Sequence, residues 1–194
     1  MIATFLDVAE TVGYPLVFAL IAIETMGIPV PGETALVTAG IVASRGRLEI
    51  EVVIVLAAAA AILGDNVGYW IGRKGGRRLA EKLPWLARFI PPAERFFERH
   101  GGKAVFFARF LAGLRVTGAW MAGISHMNWW RFLGWNALGG IVWATAIALA
   151  AYFFGRAAGD AISQYGLYGA GVAVVVGAAV VLGVHFLRRR AEAD

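Results

Sequence analysis

Apolar residues fall into five stretches, about 13–44, 52–72, 104–124, 129–155 and 165–187, separated by polar or basic links. About 20 residues at 1.5 Å each cross a 30 Å hydrocarbon core, so the second, fourth and fifth stretches are predicted to span it as helices. The first stretch is interrupted by Pro29, Pro31 and Gly32, and each proline removes a backbone donor. Its arms, Gly13–Ile28 and Thr34–Ser44, reach only roughly 24 Å and 17 Å as helices, which predicts a hairpin that enters and leaves the bilayer on one side. The third stretch carries Arg109 and Arg115 with Gly113 and Gly118, and reads as a second re-entrant hairpin without prolines. Ile2, Phe5, Leu6 and Ala9 share one face, which predicts a short interfacial helix ahead of the first hairpin.

Loop charge orients these elements. Arg73 to Lys103 holds nine basic residues against three acidic ones, and the chain ends near Arg188, Arg189 and Arg190. Both are predicted to be cytoplasmic, with the sparsely charged 156–164 link outside. If 104–124 spanned the bilayer, the triple arginine would fall outside, so the charge pattern favours the re-entrant reading. The predicted fold is an all-α polytopic membrane protein. Two oppositely oriented re-entrant helical hairpins are each followed by a transmembrane helix, forming an inverted repeat, and a C-terminal transmembrane helix follows at 165–187. Such repeats place transport sites near the bilayer midplane. The whole chain, 1–194, reads as one membrane domain, with 73–103 as a basic amphipathic linker broken by Pro84, Pro91 and Pro92.

Composition agrees with a bilayer environment: 59% of the 194 residues are hydrophobic and 16% charged, against about a quarter charged in soluble domains. Mean hydropathy is +0.68. The net charge of +5 is read as topology, with no nucleic-acid partner expected. The chain has no cysteine, which removes disulfides and thiolate metal sites. His100, His126 and His185 are scattered and receive no metal or catalytic role. No nucleotide loop, serine-hydrolase elbow or zinc-protease motif occurs, so the chain is expected to be neither an enzyme nor dependent on a cofactor.

The candidate chemistry lies in the charges within apolar surroundings. Glu24, Glu33 and Asp65 supply acid, Arg109 and Arg115 supply base, and Asn136 joins them as packing glue or as part of the site. Intramembrane charges are costly and mark functional sites by default. Burial disfavours an ionised carboxylate and a neighbouring arginine favours it, so the acids are candidates for proton coupling and gating. Arginine stays charged and its planar fork suits phosphate, which makes Arg109 and Arg115 the headgroup-binding candidates. Pro29, Pro31 and Gly32 form the structural break that leaves backbone polar groups available there. Glu33 is expected to cap the second arm. The same charges would also serve simply to hold two hairpins together. Gly64, Gly68, Gly72 and Gly76 form a small-residue stripe for close helix packing, within one chain or in a homo-oligomer. Trp129, Trp130 and Trp135 read as an interfacial belt.

The order Glu24-x4-Pro29-x-Pro31-Gly32-Glu33, then Gly64-Asp65-x2-Gly68-Tyr69-x2-Gly72-Arg73, resembles the DedA family, whose shared region is called the VTT domain. Phe107-x-Arg109-Phe110-x4-Arg115 and Ala122-Gly123-x3-Met127 continue the match, as do Phe132, Asn136, Gly139 and Trp143. The resemblance covers about 10–155. It implies a multi-pass protein of the bacterial cytoplasmic membrane with two facing re-entrant hairpins. It also implies a lipid translocase acting on undecaprenyl phosphate or a phospholipid, with the acidic positions and paired arginines where they stand here. The expected partners are therefore a membrane lipid and protons. A proton-coupled antiporter for cations or drugs, using the carboxylates, and a non-transporting membrane-assembly scaffold are the alternatives.

Overall fold

The computed structural model describes the backbone of residues 2–82, 95–97, 99–110 and 114–191, with side chains described for 13–75, 95–97, 99–110, 115 and 117–160. The described residues contain helices and no strand. The main elements are α1 (Ile2–Thr25), α2 (Gly32–Ser44), α3 (Ile50–Lys82), α4 (Gly102–Ala108), α5 (Leu114–Ile124) and α6 (Trp129–Ala191). Ile50–Gly75 and Trp129–Asp160 are long and apolar enough to cross a membrane. Val55, Leu63, Val67 and Trp70 of α3 and Ile141, Val142, Phe153 and Phe154 of α6 lie exposed, a face suited to lipid tails.

The expected break at Pro29, Pro31 and Gly32 lies between α1 and α2, with Gly32 already the first residue of α2. The end of α1 closes as the prolines require. Gly27 takes φ 113°, its N–H donates to the Glu24 carbonyl at 3.0 Å, and that of Ile28 donates to Ile23 at 3.2 Å. This is a Schellman end, in which a left-handed residue returns the last donors onto the helix. α2 closes the same way through Gly46, φ 70°, and α5 through His126, φ 53°.

Three expectations are corrected. The link at 156–164 does not form, because α6 runs unbroken for 63 residues. At 1.5 Å per residue that is about 95 Å, and a continuous helix does not reverse, so 165–187 extends the helix of 129–155 and does not return beside it. Residues 156–164 hold no proline and several alanines, and their glycine and aspartate cost a helix only about 1 kcal/mol each or less. The N-terminal residues likewise belong to α1 and not to a separate short helix. α3 continues to Lys82, ten residues beyond the predicted span, because no breaker precedes Pro84. Residues 83–94 and 98 of the expected basic linker lie outside the described residues.

Neighbour pairs give the helix directions. Tyr14 reaches Glu49, and Ala22 and Thr25 meet Gly64, so α1 runs parallel to α3. Gly101 meets Arg131 and Arg109 meets Gly139, so α4 runs parallel to the start of α6. Gly40 lies against Ala148 and Ala151, and Ser44 against Gly155, which sets α2 parallel to α6. Trp120 covers Gly68 and Gly72, and Gly123 meets Tyr69 and Arg73, which sets α5 parallel to α3. Most of the glycine stripe is thus filled within the chain; the packing of Gly76 lies outside the described residues.

Two apolar clusters result. One joins Ile21, Leu36, Val53, Ala57, Ala61, Ala144 and Ala148 from α1, α2, α3 and α6. The other joins Tyr69, Ala104, Met121, Ala122 and Phe132 from α3, α4, α5 and α6. In lipid, apolar surface gains little by leaving the tails, so small residues and close packing carry such contacts. On α3 Asp65 falls between the two clusters, and on α6 Asn136 does the same.

Candidate functional site

A polar layer fills the gap between the apolar clusters. Arg109 stands just beyond α4 and is buried, as is Asp65. One guanidinium nitrogen, Nη2, donates both to the Asp65 carboxylate and, at 2.7 Å, to the Asn136 side-chain carbonyl. Asn136 in turn donates through Nδ2 to the Ile62 carbonyl at 3.3 Å. The amide is thus oriented by α3 so that its oxygen faces the arginine. The arginine stem passes Gly139, with Cδ and Nε at ordinary van der Waals distance, 3.6 and 3.5 Å, from where a Cβ would stand.

The second arginine is held differently. Arg115 of α5 donates through Nη2 to Glu24 at the end of α1 and forms an ion pair through Nη1 with Glu33 in the first turn of α2, at 3.3 Å. Its guanidinium also lies 5.5 Å from the centre of the Trp143 ring, within cation–π range. The second oxygen of Glu24, Oε2, is buried without a hydrogen-bond partner among the described residues. It packs on Gly32, where any Cβ would collide with it and with the Leu20 carbonyl. Glu33 is half exposed and makes no capping hydrogen bond, so the expectation that it caps α2 is corrected. Pro31 occupies the cap position and has no side-chain acceptor, while Glu33, inside the first turn, points to Arg115.

The structure therefore brings Glu24, Glu33, Asp65, Arg109, Arg115 and Asn136 into one layer. Of the break residues, Gly32 is buried against Glu24, while Pro29 and Pro31 are exposed. Sequence reasoning missed Trp120, whose indole N–H donates to the Met26 carbonyl at 2.8 Å while its ring covers Gly27. It ties α5 to the break after α1, and nothing in its sequence context marks it apart from a belt tryptophan. Trp129, read as belt, donates to Asn66 at 2.9 Å, and Trp135 packs on Gly102, whereas Trp130 is exposed. Among the described residues no cluster of histidine and carboxylate ligands suits a metal ion.

Chemically, the layer offers two planar cations to an oxyanion, each already engaged by carboxylate. A phosphate matches the guanidinium fork as a carboxylate does, with two parallel N–H donors. The layer also supplies carboxylates within reach of any cation that replaces an arginine.

The VTT domain matches residues 30–153. An uncharacterised membrane protein of Synechocystis sp. is 41% identical over 157 residues, covering 79% of this chain and 72% of that one. An uncharacterised membrane protein of Mycobacterium tuberculosis is 37% identical over 191 residues, covering 93% and 88%. Protein DedA of Escherichia coli is 34% identical over 151 residues, covering 73% and 68%. No solved structure matches the chain at a significant level. With five of the six polar-layer residues, all but Glu24, inside the matched region and relatives of this kind across most of its length, the chain is a membrane protein of the DedA family, built on the VTT domain.

Proposed function

We propose that this protein is a multi-pass protein of the bacterial cytoplasmic membrane that carries an anionic lipid headgroup between leaflets through the polar layer. The headgroup is a polyprenyl phosphate such as undecaprenyl phosphate, or that of a phospholipid. The observation that carries the reading is the shared guanidinium of Arg115, held by two carboxylates of which Glu24 keeps one buried oxygen unpartnered among the described residues. Protonation of one of these carboxylates frees an edge of the fork, and a phosphate takes its place. Half-exposed Glu33 marks the accessible side of the exchange. No bond is made or broken in the cargo.

In the same reading α1 and α2 form one re-entrant hairpin, α4 and α5 the other, and the two three-helix units are inverted repeats. The helix pairings support this. Each unit's first helix runs parallel to its own third helix, and each unit's second runs parallel to the third helix of the other unit.

The test is transbilayer movement of labelled undecaprenyl phosphate and labelled phospholipid in proteoliposomes, with and without a pH gradient. Gradient-dependent movement of one lipid, lost in Arg115→Ala and in Glu24→Gln, is the expected result. Unchanged movement in both variants, or movement of neither lipid by folded protein, would sink the reading. A second reading, proton-coupled antiport of a cation, is favoured by the excess of carboxylates over arginines in the layer. Cation-driven proton flux without lipid movement would select it.

A further inference from the structure

One cavity is walled by Phe97, Arg99, His100 and Gly101, the α5–α6 turn and the start of α6. It measures about 470 Å³ and is lined by Phe97, Arg99, His100, His126, Met127 and Arg131, among others. None of the polar-layer residues lines it.

Its hydrogen-bonding inventory is one-sided. The acceptors around it are largely consumed inside the protein. The Met127 carbonyl accepts from Tyr69 and from Arg73, and the Asn128 side-chain oxygen accepts the Arg131 N–H at 3.2 Å. The Phe97 carbonyl takes the Gly101 N–H at 2.8 Å, and the Phe96 carbonyl is occupied by the His100 ring at 3.0 Å. The charged donors are not consumed: among the described residues neither Arg99 nor Arg131 pairs with a carboxylate, and no carboxylate lines the cavity. Ser125, also in the wall, keeps a buried hydroxyl without a hydrogen-bond partner among the described residues. The Arg131 guanidinium lies over Gly101, where a Cβ would displace it.

The turn itself carries a second signal. Three helix ends close with the same left-handed residue; two use Gly27 and Gly46, and the third uses His126. A residue with a Cβ costs roughly 1–2 kcal/mol more than glycine in that conformation, although histidine is among the better tolerated. Keeping a ring there, beside Arg99, His100 and Arg131, points to a use for it. A second cavity provides a contrast. It measures about 640 Å³ and its wall mixes Arg47 with Glu49, Glu51, Tyr14 and Tyr152 around Gly46.

We propose that the cavity around the α5–α6 turn binds a phosphate group, with Arg99 and Arg131 supplying charge and Ser125 and His126 completing the donor set. The proposal goes beyond the transport reading, since it concerns equilibrium binding outside the polar layer. A free phosphate and the phosphomonoester of a lipid headgroup share the chemistry that such a wall recognises.

The full-length protein in phosphatidylcholine nanodiscs is titrated with inorganic phosphate by calorimetry, and in parallel phosphatidic acid is added to the nanodiscs and its retention by the purified protein measured. The variants are Arg99→Gln, Arg131→Gln and, at the second cavity, Arg47→Gln. Arg99 is exposed, so its removal leaves the fold intact. Binding of either probe, weakened about tenfold or more by each of the first two substitutions and unchanged by Arg47→Gln, is the expected result. Binding of inorganic phosphate alone assigns the site to a soluble anion, and retention of phosphatidic acid assigns it to a headgroup. Binding of neither probe, or equal binding in all variants, overturns the proposal. That failure would leave the transport reading standing, because lipid movement is measured separately.

Discussion

Arg109 and Arg115 occupy the same layer and are held in opposite ways. Arg109 and its acid are both buried, and a single nitrogen serves Asp65 and Asn136 in an arrangement oriented by α3. Arg115 divides itself between two acids, one of them half exposed, and rests on the Trp143 ring. The first arrangement is closed, because each partner would be left charged and buried without the other. The second is open, because either acid can leave while the other stays. The difference separates a residue that holds the hairpins from one free to change partners.

The comparison can be broken at its strongest point first. Arg109→Ala should destabilise the protein by about 3–5 kcal/mol, the range for stripping one partner from a buried ion pair. Denaturant unfolding in detergent measures it. The double change Arg109→Met with Asp65→Leu should recover most of that loss, since apolar replacement removes both charges together. Arg115→Ala should cost less stability, about 1–3 kcal/mol, yet bring lipid movement to background. Equal stability losses in the two single variants would erase the distinction. Asn136→Ala should cost about 1 kcal/mol, the net value of one hydrogen bond, and leave the Arg109–Asp65 pair in place. Glu33→Gln is the mildest: its exposed ion pair should change unfolding by less than about 1 kcal/mol. A change in transport without a change in stability would place Glu33 in the exchange.

The charged layer was legible in the sequence because a charge inside an apolar run is too costly in lipid to stand without a partner or a task. The break at Pro29, Pro31 and Gly32 was legible because the prolines cannot continue a helix with their donors intact. Less of α6 could be read. Gly155, Gly159 and Asp160 look like a turn, but their helix penalties are small beside the alanines around them, and nothing there removes a backbone donor. Trp120 and the cavity around the α5–α6 turn escaped for a different reason. His100 and His126, or Arg99 and Arg131, are unremarkable where each stands in the chain. Only the fold brings Phe97, Arg99, His100 and Gly101 beside 124–131 and leaves the arginines there without carboxylate partners among the described residues.

The layer of two arginines and three carboxylates has an electrical consequence. Counted as ionised, it holds one negative charge in excess. A monoanionic phosphate arriving beside Arg115 would double that excess in a medium that tolerates isolated charge poorly. In the translocase reading, one proton taken up by the layer with each phosphate would restore the original balance, and cargo and proton would cross together with no net current. In the translocase reading, a voltage clamped across the vesicle should leave the rate nearly unchanged while a pH difference drives it.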